Sequence, residues 1–211
     1  WRAVFYVNLP IAAFALVMQA RAKDRRFFRR GVMPQITTLR PIQFSEAELE
    51  AELTALAPAL AGSWEADPKP QQMSLLKSGE TQLKLSNASS LREALRHDLT
   101  LFKEADNFGS LLRPMLSARQ LRQLHDHLNR AAPTGQLQLF DQERRRKVRQ
   151  AIVQALPLAR QYDVVVANPP YMGSKNQNVK LKKFLGDEYK DVKADLFSAF
   201  MIRNLELAVP N

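Results

Sequence analysis

The sequence contains no cysteine, and in 211 residues it has only seven glycines and three histidines. Without cysteine there can be no disulfide and no thiolate metal site. Of the three histidines His97, His125 and His127, the last two lie two positions apart, a spacing that does not share a helix face. They read as surface side chains rather than as metal ligands. The glycines stand singly, at Gly31, Gly62, Gly79, Gly109, Gly135, Gly173 and Gly186. No Gly-x-Gly pair is therefore available for a nucleotide-binding turn between a strand and a helix. Long apolar runs are also missing. The most apolar stretch, Trp1 to Ala20, is interrupted by Arg2, Asn8, Pro10 and Gln19, and a basic segment follows it. A bilayer-spanning helix needs about 20 mostly apolar residues without such breaks. The expectation is a cytoplasmic chain that does not enter a membrane.

What is present bounds the chain from the other side. Hydrophobic residues make up 45% of the sequence, enough for a real core in one domain or parts of two. Lys and Arg number 31 against 21 Asp and Glu, a formal charge of +10. That balance favours a polyanionic partner, nucleic acid first. The chain opens on Trp1 and closes on Pro210-Asn211, and it reads as a segment of a longer protein.

Periodicity predicts a strand to about Val7, a turn at Asn8-Leu9-Pro10 and a buried helix from Ile11 to about Lys23. Six cations from Arg21 to Arg30 surround Phe27-Phe28, a pattern suited to a helix end or to phosphate contact. Residues 31–41 read as a short strand or linker. Ser45 with Glu48 forms a capping box opening an acidic helix to about Leu56. The Pro-rich stretch from Pro58 to Pro70 is the best internal boundary. Ser89-Ser90 with Glu93 predicts a second helix to about Glu104, with Leu99 and Phe102 facing a core. Ser117 caps a third, Ala118 to Arg130, with Leu121, Leu124 and Leu128 on one stripe. The longest helix should run from Asp141 to about Arg160. Val148, Ile152, Val153 and Leu156 would lie inside, and Arg144, Arg145, Arg146, Lys147 and Arg149 would form a solvated basic face.

The most informative stretch is Asp163-Val164-Val165-Val166-Ala167-Asn168-Pro169-Pro170-Tyr171. Tyr162 to Val166 predicts a short strand buried on both faces, which the two prolines end because neither can donate to a ladder. Asn168 and the ring of Tyr171 then stand at the carboxyl end of a strand, where ligands bind in open α/β sheets. These residue types suit one chemical problem. The exocyclic amine of a planar base is a poor nucleophile because its lone pair is delocalised. The Asn168 side-chain oxygen and a carbonyl of the Pro169-Pro170 backbone can each accept one N–H, orienting the nitrogen towards an electrophile. Tyr171 can stack on a base taken out of its duplex.

This stretch resembles motif IV of amino-group methyltransferases that use S-adenosylmethionine, in the Asn-Pro-Pro-Tyr form of N6-adenine DNA methylases. Asn168-Pro169-Pro170-Tyr171-Met172-Gly173, the Lys-rich segment after it, and Asp195-Leu196-Phe197-Ser198-Ala199-Phe200 narrow the resemblance to the large adenine methylases of bacterial phage defence and restriction-modification. The PglX-type methylase of BREX systems is the nearest kind. Ala12 to Leu16, Ala20 to Phe28 and Asn107-Phe108-Gly109-Ser110-Leu111 resemble the same family. Trp1-Arg2, Phe5 and Asn8-Leu9-Pro10-Ile11 instead resemble a short segment of multidrug efflux transporters.

The resemblance implies a partial Rossmann-like α/β methyltransferase core interrupted by a mainly helical insertion. Residues 1–30 would be a strand–helix unit of the core, 31–140 the insertion and 141–211 the core with the catalytic motif. It implies methyl transfer from S-adenosylmethionine to adenine N6 of a base flipped from double-stranded DNA, with other phage-defence subunits as candidate partners. Asn168, Pro169, Pro170 and Tyr171 would be catalytic. Asp195 and Phe197 would lie near the cofactor, although capping alone would also choose Asp195. Lys175, Lys180, Lys182 and Lys183 would reach phosphates, contacts that position rather than specify. The family's Gly-containing cofactor turn and its ribose-binding acid are not in this chain, so the segment alone is expected not to methylate DNA. Two other readings stay open. Methylases of release-factor glutamine or of ribosomal RNA bases also carry Asn-Pro-Pro-Tyr, and a module without cofactor could contribute DNA affinity only.

Overall fold

The computed structural model describes residues 17–26, 29, 31, 37–61, 88–130, 139–170 and 172–209. The chain forms two compact units, Trp1–Thr38 and Leu39–Asn211. In the first, residues 17–23 are helical (α1), in line with the expected helix. The expected strand before Asn8, the resembling segment Ala12 to Leu16 and Phe27-Phe28 lie outside the described residues.

The second unit is built from helices: α2 (Glu46–Ala61), α3 (Ala88–Thr100), the single turn α4 (Ala105–Phe108), α5 (Ala118–Arg130), α6 (Leu139–Leu158), α7 (Val179–Glu188) and α8 (Leu196–Leu207). The caps follow the sequence. Ser45 N–H donates to Glu48 Oε2 at 2.7 Å, and Glu48 N–H returns to Ser45 Oγ at 3.2 Å. Ser117 and Gln120 make the same reciprocal pair before α5, at 2.8 and 3.3 Å. Other boundaries moved. Helix α2 continues through Pro58, and α3 begins at Ala88, ahead of the serines expected to cap it.

The main core joins α2, α3, α5 and α6, with Leu53, Leu95, Leu99, Phe102, Leu121, Leu124, Val148 and Ile152 essentially closed to solvent. On α6 the buried stripe is Val148, Ala151, Ile152, Ala155 and Leu158, whereas Val153 is exposed.

The basic face of α6 is solvated only in part: Arg146 and Arg149 are exposed as expected, whereas Arg144 and Lys147 are drawn into ion pairs with α2. Arg144 pairs with Glu52 and Asp141, Lys147 with Glu48 at 2.8 Å, and Arg149 donates to the Leu128 carbonyl. From the other side Arg92 and Arg96 of α3 reach Glu50, and Arg96 also reaches Glu46. The acidic helix α2 thus lies between the basic helix α6 and the two arginines of α3, and part of the α6 positive charge is neutralised within the fold.

A second, smaller core holds Leu111, Leu181, Leu185, Tyr189, Leu196 and Ala199, with Met172 and Phe200 packed against it. Phe108 stacks on Phe184 with centroids 4.2 Å apart and touches both cores. Gly109 carries a φ of 57°, left-handed backbone that favours glycine, and turns the chain from α4 into the 3-10 turn Gly109–Leu111.

The sheet expected around residues 162–166 is not built among the described residues. They contain only two isolated bridges, Tyr162 with Ala208 in parallel and Gly173 with Asp195 in antiparallel sense. Val164 is 77% and Val166 88% exposed, so this stretch is extended but not a buried strand. The physical reason is the lack of a neighbour, since an extended segment with one bridge partner cannot form a ladder or cover its own faces.

Candidate active site

The motif segment is anchored at both ends by backbone hydrogen bonds. Before it, Tyr162 N–H donates to the Leu207 carbonyl at 2.8 Å, Val209 N–H donates to the Tyr162 carbonyl at 3.0 Å, and the Tyr162 hydroxyl reaches the Pro157 carbonyl at 2.9 Å. After it, Leu196 N–H donates to the Met172 carbonyl at 3.2 Å and Ser174 N–H to the Ala194 carbonyl at 2.9 Å. From Asp163 to Pro170 no backbone hydrogen bond is made among the described residues. Proline explains two of the missing donors. The carbonyls, in contrast, remain open acceptors.

Asn168 is exposed, and its amide has no partner among the described residues. Pro169 is buried and Pro170 exposed, so one ring of the pair is seated while the chain on either side faces outward. Tyr171 lies outside the described residues. The segment therefore offers an Asn side-chain oxygen beside unused carbonyls on a proline-stiffened backbone, which is a two-acceptor arrangement suited to an amine.

Asp195 and Phe197 sit at the start of α8. The Asp195 carboxylate caps that helix, accepting from Phe197 N–H at 3.2 Å and from the Ser198 hydroxyl at 3.0 Å. Both oxygens are engaged, and Phe197 is half-buried beside them. The Asp195 carboxylate is therefore committed to its cap rather than open towards a methyl donor. The described residues contain no group of three or more His, Asp or Glu side chains that could hold a metal. None of their helices is long and apolar enough to cross a membrane.

The lysines divide. Lys180 forms an ion pair with Glu104. Lys175, Lys182 and Lys183 are exposed, and none has an ion pair among the described residues. Lys175 lies in the 3-10 turn Ser174–Asn176 that follows the Gly173–Asp195 bridge, and the other three lie on α7.

Several groups around the motif were missed by sequence reasoning. Asn178 caps α7 by accepting from Leu181 N–H at 2.8 Å, and its amide exchanges hydrogen bonds with Asn107 at 2.9 and 3.4 Å. The resembling segment Asn107 to Leu111 is thus the support on which α7 and the loop after the motif rest. Gln177 is only 5% exposed, yet neither its Oε1 nor its Nε2 has a partner among the described residues. Arg203 is equally buried, and Arg113 holds Glu206 through its Nε at 2.9 Å and its Nη2. Burial works against the Arg113 charge, but the Glu206 hydrogen bonds hold its pKa above the usual value. Tyr189 lies under that guanidinium, 3.9 Å from ring centroid to Cζ, and burial pushes its phenol up. An arginine within an apolar helix beginning at Leu196 was the available signal for this network, because such a charge must find partners.

Comparison with known proteins adds identity to this geometry. Residues 11–211 match the Eco57I restriction-modification methylase family. The chain is 34% identical over 202 residues to the adenine-specific methyltransferase BrxX of Escherichia coli O9:H4 (strain HS), covering 95% of this chain and 16% of that protein. It is 27% identical over 199 residues to the adenine-specific methyltransferase PglX of Lacticaseibacillus casei (strain Zhang), covering 94% of this chain and 14% of that protein. The chain spans about a sixth of the length of these relatives, and it belongs to the Eco57I restriction-modification methylase family.

Proposed function

We propose that this chain is the amine-orienting part of a longer adenine-specific DNA methyltransferase of bacterial phage defence. Family membership implies a DNA substrate and a methyl donor of the S-adenosylmethionine type. The observation that carries the reading for this chain is the exposed Asn168, without a partner among the described residues, in a segment bonded at Tyr162 and Met172. In operation, the Asn168 oxygen accepts one N–H of the adenine amine and the carbonyl of Asn168 or Pro169 accepts the other. The lone pair is thereby withdrawn from the ring and aimed. Pro169 and Pro170 limit backbone motion at that point, and Tyr171 stacks on the flipped base, whose extrusion costs a few kcal/mol.

The α/β core belongs to the same proposal. The parallel bridge of Tyr162 with Ala208, and the exposure of Val164 and Val166, suit the inner strands of a parallel sheet completed by residues outside this chain. Residues 1–30 and 141–211 would belong to that core and 31–140 to the helical insertion. Lys175, Lys182 and Lys183 are the residues for phosphate contact with double-stranded DNA, and other phage-defence subunits are the candidate partners. Asp195 and Phe197 would lie beside the methyl donor without completing its site. A second reading, a DNA-binding module without its own chemistry, is favoured by one observation, the full engagement of Asp195 in its cap.

The test uses the longer protein with tritiated S-adenosylmethionine and DNA lacking adenine methylation, with release factor offered in parallel. Label should appear as N6-methyladenine and be lost in Asn168→Ala by a factor of about 10² or more, as for removal of a preorganised hydrogen-bonding group. Label on release factor would transfer the protein to the glutamine methylases. Salt-sensitive DNA binding without transfer would favour the binding module.

A further inference from the structure

The segment that carries Asn168 makes no backbone bonds of its own among the described residues, so its placement comes from the buried Pro169 ring and from what fixes its ends. We propose that Arg203 is the positioning residue of the catalytic turn, an inference that rests on the methyltransferase reading above. The backbone bonds at both ends of the segment go to one helix or to residues within two positions of it. The carboxyl end of α8 holds Tyr162 through Leu207 and Val209, and its amino end holds Met172 and Ser174 through Leu196 and Ala194. Helix α8 is about 17 Å long at a rise of 1.5 Å per residue. The eleven steps from Tyr162 to Gly173 could reach about 36 Å if fully extended. The segment therefore arches between two points set by the helix, and any shift of α8 moves the arch and its acceptors.

Arg203 sets where α8 sits. Its side chain is 5% exposed. Its Nε donates to the Ser110 carbonyl at 3.1 Å, and its Nη2 donates to the carbonyls of Leu112 at 3.0 Å and Leu158 at 2.7 Å. Its Nη1 meets Glu206 at 3.2 Å, and Glu206 is held in turn by Arg113. Leu158 ends α6, four residues before Tyr162. One guanidinium thus ties α8, the turn after α4 and the origin of the arch. The planar fork of arginine reaches three carbonyls in fixed directions, which the single ammonium of lysine cannot reproduce. Misplacement by 1 Å at a reacting centre can cost about 10² in rate.

The experiment compares wild type with Arg203→Lys and Glu206→Gln in the longer protein. Arg203→Lys is expected to lower kcat at least tenfold while KM for DNA and for the methyl donor stays within twofold. Hydrogen exchange should accelerate at the amides of Tyr162, Ser174, Leu196 and Val209, with Leu124 and Leu128 of α5 unchanged. Glu206→Gln leaves the carbonyl bonds in place and should give a smaller loss in kcat, with the same local pattern of exchange. It serves if Arg203→Lys does not fold. Wild-type kcat in Arg203→Lys would overturn the proposal. So would a loss accounted for by a smaller active fraction, or exchange accelerated equally throughout the unit. If the wild type transfers no methyl group to adenine, the functional reading fails, while the exchange pattern still decides whether Arg203 fixes the two anchors.

Discussion

Asp98 should be among the most sensitive single positions for stability. Its side chain is 3% exposed, near the end of α3, where it accepts Met115 N–H at 2.7 Å, Leu116 N–H at 3.0 Å and His97 Nδ1 at 2.9 Å. These bonds fix the loop that leads into α5 and seat Leu112 and Leu116 in the main core. In Asp98→Ala both amides lose a charged acceptor. Met115 is 40% exposed and its amide can recover water, whereas the Leu116 residue is 2% exposed and its amide cannot. An orphaned buried amide costs about 1–3 kcal/mol, and a lost bond to a charged group about as much. The expected destabilisation is about 3 kcal/mol, a large share of the roughly 5–15 kcal/mol typical of a domain. Asp98→Asn keeps one acceptor and should lose about half of that. Urea unfolding followed by circular dichroism reads both variants, as a fall in midpoint at constant slope. Unfolding of Asp98→Ala within about 0.5 kcal/mol of wild type, the range of an ordinary surface change, would refute the reasoning.

Three further outcomes are expected. The Glu48 carboxyl is held below its usual pKa, chiefly by the Lys147 hydrogen bond and then by Ser45. Its contribution to stability is therefore complete above the unfolded value of 4.5 and lost as pH falls through the lower folded value, so Lys147→Met should flatten the acid limb of a stability–pH curve. Gln177→Met removes two buried polar atoms without partners and should leave thermal stability equal or raise it by about 1 kcal/mol, a loss of more than that showing that the amide is bonded in the fold. In the longer protein, Lys182→Ala should reduce the slope of log K against log salt for DNA binding by about 1. Lys180→Ala should change it less, because Glu104 already neutralises that ammonium.

The sequence by itself determined the elements whose causes are local. Capping boxes at Ser45 and Ser117, the leucine stripe of α5 and the Asp195 cap depend on residues within one or two turns, and each formed where its side chains predicted. The family resemblance was legible for the same reason, because the Asn-Pro-Pro-Tyr stretch that carried it is contiguous. Tertiary structure alone decided what involves partners distant in sequence. Residues 162–166 have the β-branched pattern of a buried strand, yet Val164 and Val166 remain exposed, since a strand exists only beside another. Charge on α6 looked solvated until α2 was found beside it, because a period of 3.6 residues identifies a polar face but not what that face meets. The ends of the segment around Asn168 are bonded to Leu207, Val209 and Leu196, and Arg203 of the same helix bonds to Ser110, Leu112 and Leu158 across more than forty residues of chain. No pattern along the chain encodes such pairings; they exist because a buried guanidinium takes whichever carbonyls the packed helices bring within reach.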